Sequence, residues 1–194
     1  MIWDETASRD TAPIPTGYEI IALSAAGADA HRSVVGLDGP LPDAAWREFV
    51  ALLLPGGMFV ARVSESGEAV GTASAIHNPA GSRFYFPLGG AIAFLVVDER
   101  HRGRGLGRAL VSAAVDRLRS AGYRNIWLGV EEHRLPAIKA YLGAGFIPFL
   151  HPPAPDVLEE RWREVFEKLG RTPAVWPRTL PDRTTHSPDN QRLP

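Results

Sequence analysis

Apolar positions along this chain alternate between two periods, and each change of period marks an element. Tyr18 to Leu23 reads as a strand, and Ala25 to Gly36 and Asp43 to Leu54 carry apolar residues at helical spacing, the second stopping near Pro55-Gly56-Gly57. Met58 to Val63 and Ala69 to His77, joined by the polar turn Ser64 to Glu68, form a hairpin pattern. Gly90 to Val97 is a continuous apolar run of strand length. Leu106 to Ala121 returns to helical spacing and ends at Gly122. A strand over Asn125 to Val130, a helix over Pro136 to Gly143 and a last strand near Phe146 to Leu150 follow. Asp156 to Leu169 adds a charged helix with Trp162 and Phe166 on one side. Antiparallel strands followed by a strand, helix, strand, helix, strand succession predict an α/β fold, a mixed sheet covered by helices.

The ends show no such period. Residues 1–16 mix charges with Pro13 and Pro15 and read as a flexible leader to a domain over residues 17–152. The charged helix falls in residues 153–170, packed on or beside that domain. Residues 171–194 are proline-rich and expected to be disordered, with Trp176 a candidate to dock.

Composition narrows the class. A chain of 194 residues suits one core, and 45% hydrophobic residues with a net charge of -1 describe an ordinary globular unit without the basic excess of a nucleic-acid binder. The longest apolar stretch, Gly89 to Val97, is too short for a membrane span, and acidic residues stand where a signal peptide is basic or apolar. A cytoplasmic location without membrane partners is expected. There are no cysteines, which excludes disulfides, thiolate metal sites and cysteine nucleophiles. His77, His101 and His151 lack metal-ligand spacing, so no metal is expected, and no Gly-x-Ser-x-Gly elbow offers a hydrolase serine.

One segment carries chemistry. Arg102, Gly103, Arg104, Gly105, Leu106 and Gly107 lie between the apolar run Ala91 to Val97 and the following amphipathic helix. A strand that ends in a glycine-rich turn opening a helix aims unpaired N–H groups at one point, where the helix dipole also favours negative charge. A diphosphate suits that point. The dinucleotide fingerprint fails because Arg108 stands where a glycine is needed, and neither Lys139 nor Lys168 has a P-loop setting. Two blander readings remain: a helix entry with solvated arginines, and a nucleic-acid patch of Arg100, His101, Arg102, Arg104 and Arg108.

The Arg-x-x-Gly-x-Gly run resembles the coenzyme A pyrophosphate loop of the GNAT superfamily of N-acetyltransferases. Ala137, Ile138, Tyr141, Gly145 and Phe146 reproduce that family's other signature, in the expected order. The resemblance covers roughly Met58 to Leu150. It implies a GNAT fold, whose two central strands splay to admit acetyl-coenzyme A, and transfer of the acetyl group to a primary amine by direct attack in a ternary complex. It assigns the diphosphate to the loop from Arg102 to Arg108, and the pantetheine arm to backbone groups of Leu95, Val96 and Val97. It gives Tyr141 the role of proton donor to the departing thiolate. A phenol near pKa 10 facing a thiol near 8.5 makes that transfer mildly uphill without local tuning.

The general base is less determined, since the strand Ala91 to Val97 has no ionisable side chain. Glu131 and Glu132 are the nearest candidates, followed by Asp98 and His133, although strand-end carboxylates commonly pair with arginine, here Arg134. Arg134 itself stands where the family often has asparagine. Trp46, Trp127 and Trp162 are candidates for an acceptor pocket, although tryptophan at such positions is more often core, and they stay unassigned. The acceptor stays open among a small metabolite, an amino-sugar antibiotic, a protein N-terminus and a lysine side chain. A silent coenzyme A-binding or regulatory module is the alternative, and a homodimer is compatible with the family.

Overall fold

The structure is a computed structural model and describes residues 1–4, 12–23, 28–39, 42–78 and 89–179. Seven strands form one mixed sheet in the order β2-β3-β4-β5-β6-β1-β7. They are β1 (Ile2–Trp3), β2 (Tyr18–Leu23), β3 (Leu53–Val63), β4 (Ala69–His77), β5 (Gly90–Val97), β6 (Ile126–Trp127) and β7 (Phe146–Ile147). The helices are α1 (Ala28–Val35), α2 (Asp43–Leu52), α3 (Leu106–Ser120), α4 (Leu135–Gly143) and α5 (Pro155–Lys168). This is the α/β architecture that the pattern of periods predicted.

Strands β2 to β5 form an antiparallel meander, and among the described residues β5 to β6 is the one parallel pairing. Side chains alternate across the sheet, so neighbours on one strand serve different cores. Ala73, Ala75 and Ile92 face α3, which buries Leu106, Leu110, Val111, Ala114 and Leu118 against them. Ile76 and Ala91 face the other way, where Trp46 and Phe49 of α2 cover them. Gly71 lets α3 approach, because a Cβ there would sit 3.1 Å from Leu110 Cδ1.

The first residues are not a loose leader. Ile2 pairs with Trp127 on one side and Ile147 on the other, Trp3 pairs with Phe146, and Met1, Ile2 and Trp3 are buried. The amino nitrogen of Met1 donates to Leu128 O at 2.8 Å, and Leu128 N donates back to Met1 O at 3.0 Å. Two residues suffice because both edges of β1 are paired, something no periodicity can announce. Residues 5–11 of the expected leader lie outside the described residues.

Other boundaries shift for physical reasons. β3 begins at Leu53, directly after α2, and absorbs Pro55-Gly56-Gly57 as an irregularity between the pairs Leu53–Ile76 and Met58–Ser74. β6 and β7 are shorter than expected because β1, their shared partner, offers two residues. The expected tail is ordered as far as it is described: Trp176 is buried against Phe166 with ring centroids 5.0 Å apart, and Leu150 N donates to Pro177 O at 2.9 Å. Residues 180–194 lie outside the described residues. No helix among the described residues is long and apolar enough to cross a membrane.

Candidate active site

The two central strands part company early. β5 and β6 pair only at Gly90–Ile126 and Ala91–Trp127, after which β5 runs on to Val97 with no strand partner on that side among the described residues. The gap opens toward the carboxyl ends of two parallel strands, where open α/β sheets place their ligands. β5 also bends. Its pairing with β4 passes from Thr72–Val96 to Ser74–Ala93, so Phe94 and Leu95 together oppose Ala73. Phe94 takes φ 50°, in the left-handed region that side chains disfavour, and its ring is held edge-on to Phe49 at 4.6 Å. Such a bulge turns the backbone of Leu95, Val96 and Val97 out of the regular ladder.

The loop after β5 is built around Asp98. Its carboxylate accepts from Arg100 N at 2.9 Å and from the Arg100 guanidinium at 3.2 and 2.8 Å, bonds that hold its pKa down at about 2. Asp98 is therefore a structural acceptor and a poor base. His101 Nδ1 lies 2.9 Å from the Tyr18 hydroxyl, which ties the loop to β2. Gly103 and Gly105 then adopt φ 75° and 90°, and Gly105 caps α3, its carbonyl accepting from Ala109 N at 3.1 Å. The N–H groups of Leu106, Gly107 and Arg108 occupy the first helical turn, where no helical carbonyl reaches them. A Cβ on Gly107 would lie 3.4 Å from Ala140 of α4, so a small residue keeps the two helices close. Left-handed glycines, first-turn N–H donors and a helix dipole fit a diphosphate.

The arginines around this cradle are partly spoken for. Arg100 also pairs with Glu68 at 3.0 Å, Arg102 binds Glu99 at 3.1 Å and Val97 O at 3.0 Å, and Arg104 donates to Arg100 O at 3.3 Å. The basic cluster is thus matched locally by Glu68, Asp98 and Glu99, and one carbonyl assigned to the pantetheine arm already accepts from Arg102. Arg108 runs beside Gly143 of α4.

Tyr141, on α4, is buried, its ring 6.0 Å from Phe146 and in one apolar cluster with Leu106 and Leu128. It belongs to the core between the cradle helix and the end of β6. The two glutamates lie just past that end, both in ion pairs. Glu131 accepts from Arg134 Nε at 2.8 Å and approaches His133 at 3.6 Å, and Glu132 pairs with Arg161 of α5. Arg134 is accordingly tied to a carboxylate of the protein itself. Trp46 packs in the α2 core, whereas Trp127 and Trp162 line a cleft of about 260 Å³ beside the end of β6.

A buried pair escaped the sequence reading. His31 on α1 is fully buried, with Nε2 2.7 Å from Ser74 Oγ on β4, and its ring stacks on Phe49 and leans on Trp46. Burial pushes its pKa down to about 4. The available signal was spacing, since His31 precedes Val34 and Val35 by a helical turn and so shares their inward face.

The profile of the acetyltransferase (GNAT) family matches residues 28–146. The rat protein N-acetyltransferase 8B is 36% identical over 87 residues, 43% of this chain and 37% of its own length. Mycothiol acetyltransferase of Amycolatopsis mediterranei is 37% identical over 91 residues, 46% of this chain and 30% of its own. The chain thus spans about a third of these relatives. Among solved structures, AAC(6')-Iy in complex with a bisubstrate analogue superposes with a TM-score of 0.55 at 20% identity, covering 68% of this chain and 91% of that one. Glucosamine-6-phosphate N-acetyltransferase from Arabidopsis thaliana gives 0.50 at 20% identity, over 68% and 92%. These likenesses are of fold, and the fold agrees with the profile, the parted strands and the glycine cradle: the chain belongs to the GNAT family of acetyltransferases.

Proposed function

We propose that this protein transfers the acetyl group of acetyl-coenzyme A to a primary amine, by direct attack within a ternary complex. One observation carries the reading: β5 and β6 separate beyond Ala91 and Trp127, and the freed end of β5 leads straight into the glycine cradle that opens α3. On this reading the N–H groups of the turn, Gly103, Arg104 and Gly105, and of the first helical turn, Leu106, Gly107 and Arg108, hold the diphosphate, with Arg102 adding charge at the rim. The backbone of Leu95, Val96 and Val97 holds the pantetheine arm. Bound there, the coenzyme supplies an activated thioester.

The amine nitrogen bonds to the acyl carbon as the carbon–sulfur bond breaks. Tyr141 donates a proton to the departing sulfur, and a glutamate at the end of β6 accepts one from the nitrogen. Glu132, although paired with Arg161, suits that second role better than Glu131, since it lines the cleft whereas Glu131 is held by both Arg134 and His133.

Released thiol, read colorimetrically with acetyl-coenzyme A and a panel of amines, tests this directly, and the protein adds no background because it has no cysteine. Turnover is expected with one class of amine. Tyr141→Phe should lower kcat about a hundredfold or more while coenzyme binding stays intact. Coenzyme binding without turnover across the panel would favour the silent binding module, which the bare strand β5 also fits.

A further inference from the structure

The cleft beside the parted strands has its own chemistry. β6 and β7 both run antiparallel to β1, so they are parallel to each other and their carboxyl ends lie on one side. The cleft sits between those ends, under α5, lined by Trp127, Phe149 and Trp162 with Glu132, His151 and Arg161 among its polar residues. Residues 128–130 form its wall, and the same segment continues β6 along the gap from which β5 diverges. The geometry points to this cleft as the acceptor site, shaped for a small amine that also bears a carboxylate. This rests on the acetyl-transfer reading above.

Size sets the first limit. About 260 Å³ suits a ligand, or the part of one that enters the cleft, comparable to one amino acid. Charge sets the second. Glu132 and Arg161 pair across the cleft while remaining 40% and 54% exposed, so a ligand can exchange with either partner at small loss. A carboxylate receives an ammonium, and a guanidinium receives a carboxylate in a bidentate fork. A zwitterionic amine satisfies both at once. A polycation would meet one acid and one arginine, and a simple alkyl amine would leave Arg161 without its anion.

The aromatic walls set the third limit, favouring an apolar or aromatic side chain in the space between Trp127, Phe149 and Trp162. His151 donates from Nδ1 to Pro152 O at 2.8 Å, which keeps its ring oriented at the wall. The family profile matches residues 28–146, so Trp127 and Glu132 lie within the match while Phe149, His151, Arg161 and Trp162 lie beyond it.

The test uses the full chain with coenzyme A bound and follows intrinsic tryptophan fluorescence, since Trp127 and Trp162 line the cleft. Glycine, alanine and phenylalanine are titrated beside their carboxamides and beside spermidine, and the same compounds enter the thiol-release assay with acetyl-coenzyme A. Phenylalanine should bind tightest of the acids and about tenfold or more tighter than its carboxamide. Arg161→Met should abolish that preference, Arg161→Lys should restore part of it, and neither should change the KM for acetyl-coenzyme A. Glu132→Gln should weaken acid and carboxamide alike. Carboxamides or spermidine binding as well as the acids, or an acid preference that survives Arg161→Met, overturns the assignment. If the carboxamides and spermidine are also acetylated as fast as the acids, acetyl transfer stands without this acceptor site. Selective binding of the acids without thiol release keeps the site and removes the transferase reading.

Discussion

Nε2 of His31 and Oγ of Ser74 lie 2.7 Å apart, and neither residue reaches solvent. The bond joins α1 to β4 at the pair Ser74–Ala93, one step from the Phe94 bulge. Because burial holds the imidazole at about 4 instead of 6.5, the unfolded chain binds a proton between those values that the folded chain does not. Stability should therefore be full above about pH 6.5 and fall as pH drops toward 4, by on the order of 3 kcal/mol. Urea denaturation across that range, compared with His31→Gln, reads the effect. The variant should be less stable at neutral pH and lose that part of the slope.

Gly105 combines φ 90° with the cap of α3 at the diphosphate cradle. Gly105→Ala forces a side chain into a left-handed conformation that carries a penalty of about 1–2 kcal/mol. The loop relieves it by moving, which displaces the N–H groups behind it. Calorimetric titration with coenzyme A should show binding weakened about tenfold or more, with the far-ultraviolet circular dichroism unchanged. Unaltered affinity would remove the cradle from coenzyme recognition.

Gly57 sits in the irregular stretch of β3, where an added Cβ would lie 2.6 Å from Ala75 O and 2.8 Å from Leu54 O. Both obstacles are backbone and cannot rotate aside. Gly57→Ala should destabilise the fold by about 1–3 kcal/mol in thermal or chemical denaturation. Gly67→Ala serves as the contrast: it occupies a turn with open space around it and suffers only the strain of φ 72°.

Trp176 fixes the segment after α5, buried beside Phe166 and Leu150. Arg178 reinforces it through Asp156 and Glu159, at 2.8 and 2.7 Å. Trp176→Ala should lower stability by about 3 kcal/mol and raise amide hydrogen exchange in α5, whereas Trp176→Phe should retain much of the packing. Exchange in α3 should not change.

The long elements were readable because they run on: α3, β3 and β4 repeat their period several times, and β5 is an unbroken apolar run of strand length. β1 was hidden because two residues carry no period, and its burial comes from partners more than a hundred positions away. The cradle was visible as spacing, since glycine, arginine and a helix start are local. The pairing of its arginines was not, because Glu68 reaches Arg100 from another hairpin. Glu132 illustrates the same divide. Its place after a strand is local information, but its partner Arg161 arrives with a helix that packs there only once the sheet exists.

The insertion of β1 also orders events in time. Met1 and Leu128 bond to each other across 127 positions, so the right half of the sheet closes only after the whole intervening chain has been made and brought into register. Until Ile2 arrives, β6 and β7 each present an unpaired edge to the surroundings. The opening slope of the folding reaction should thus be set by the β2 to β5 meander with α3. The β6–β7 half, and with it the wall of the cleft, should be the last part to gain protection and the first exposed to mispairing between chains.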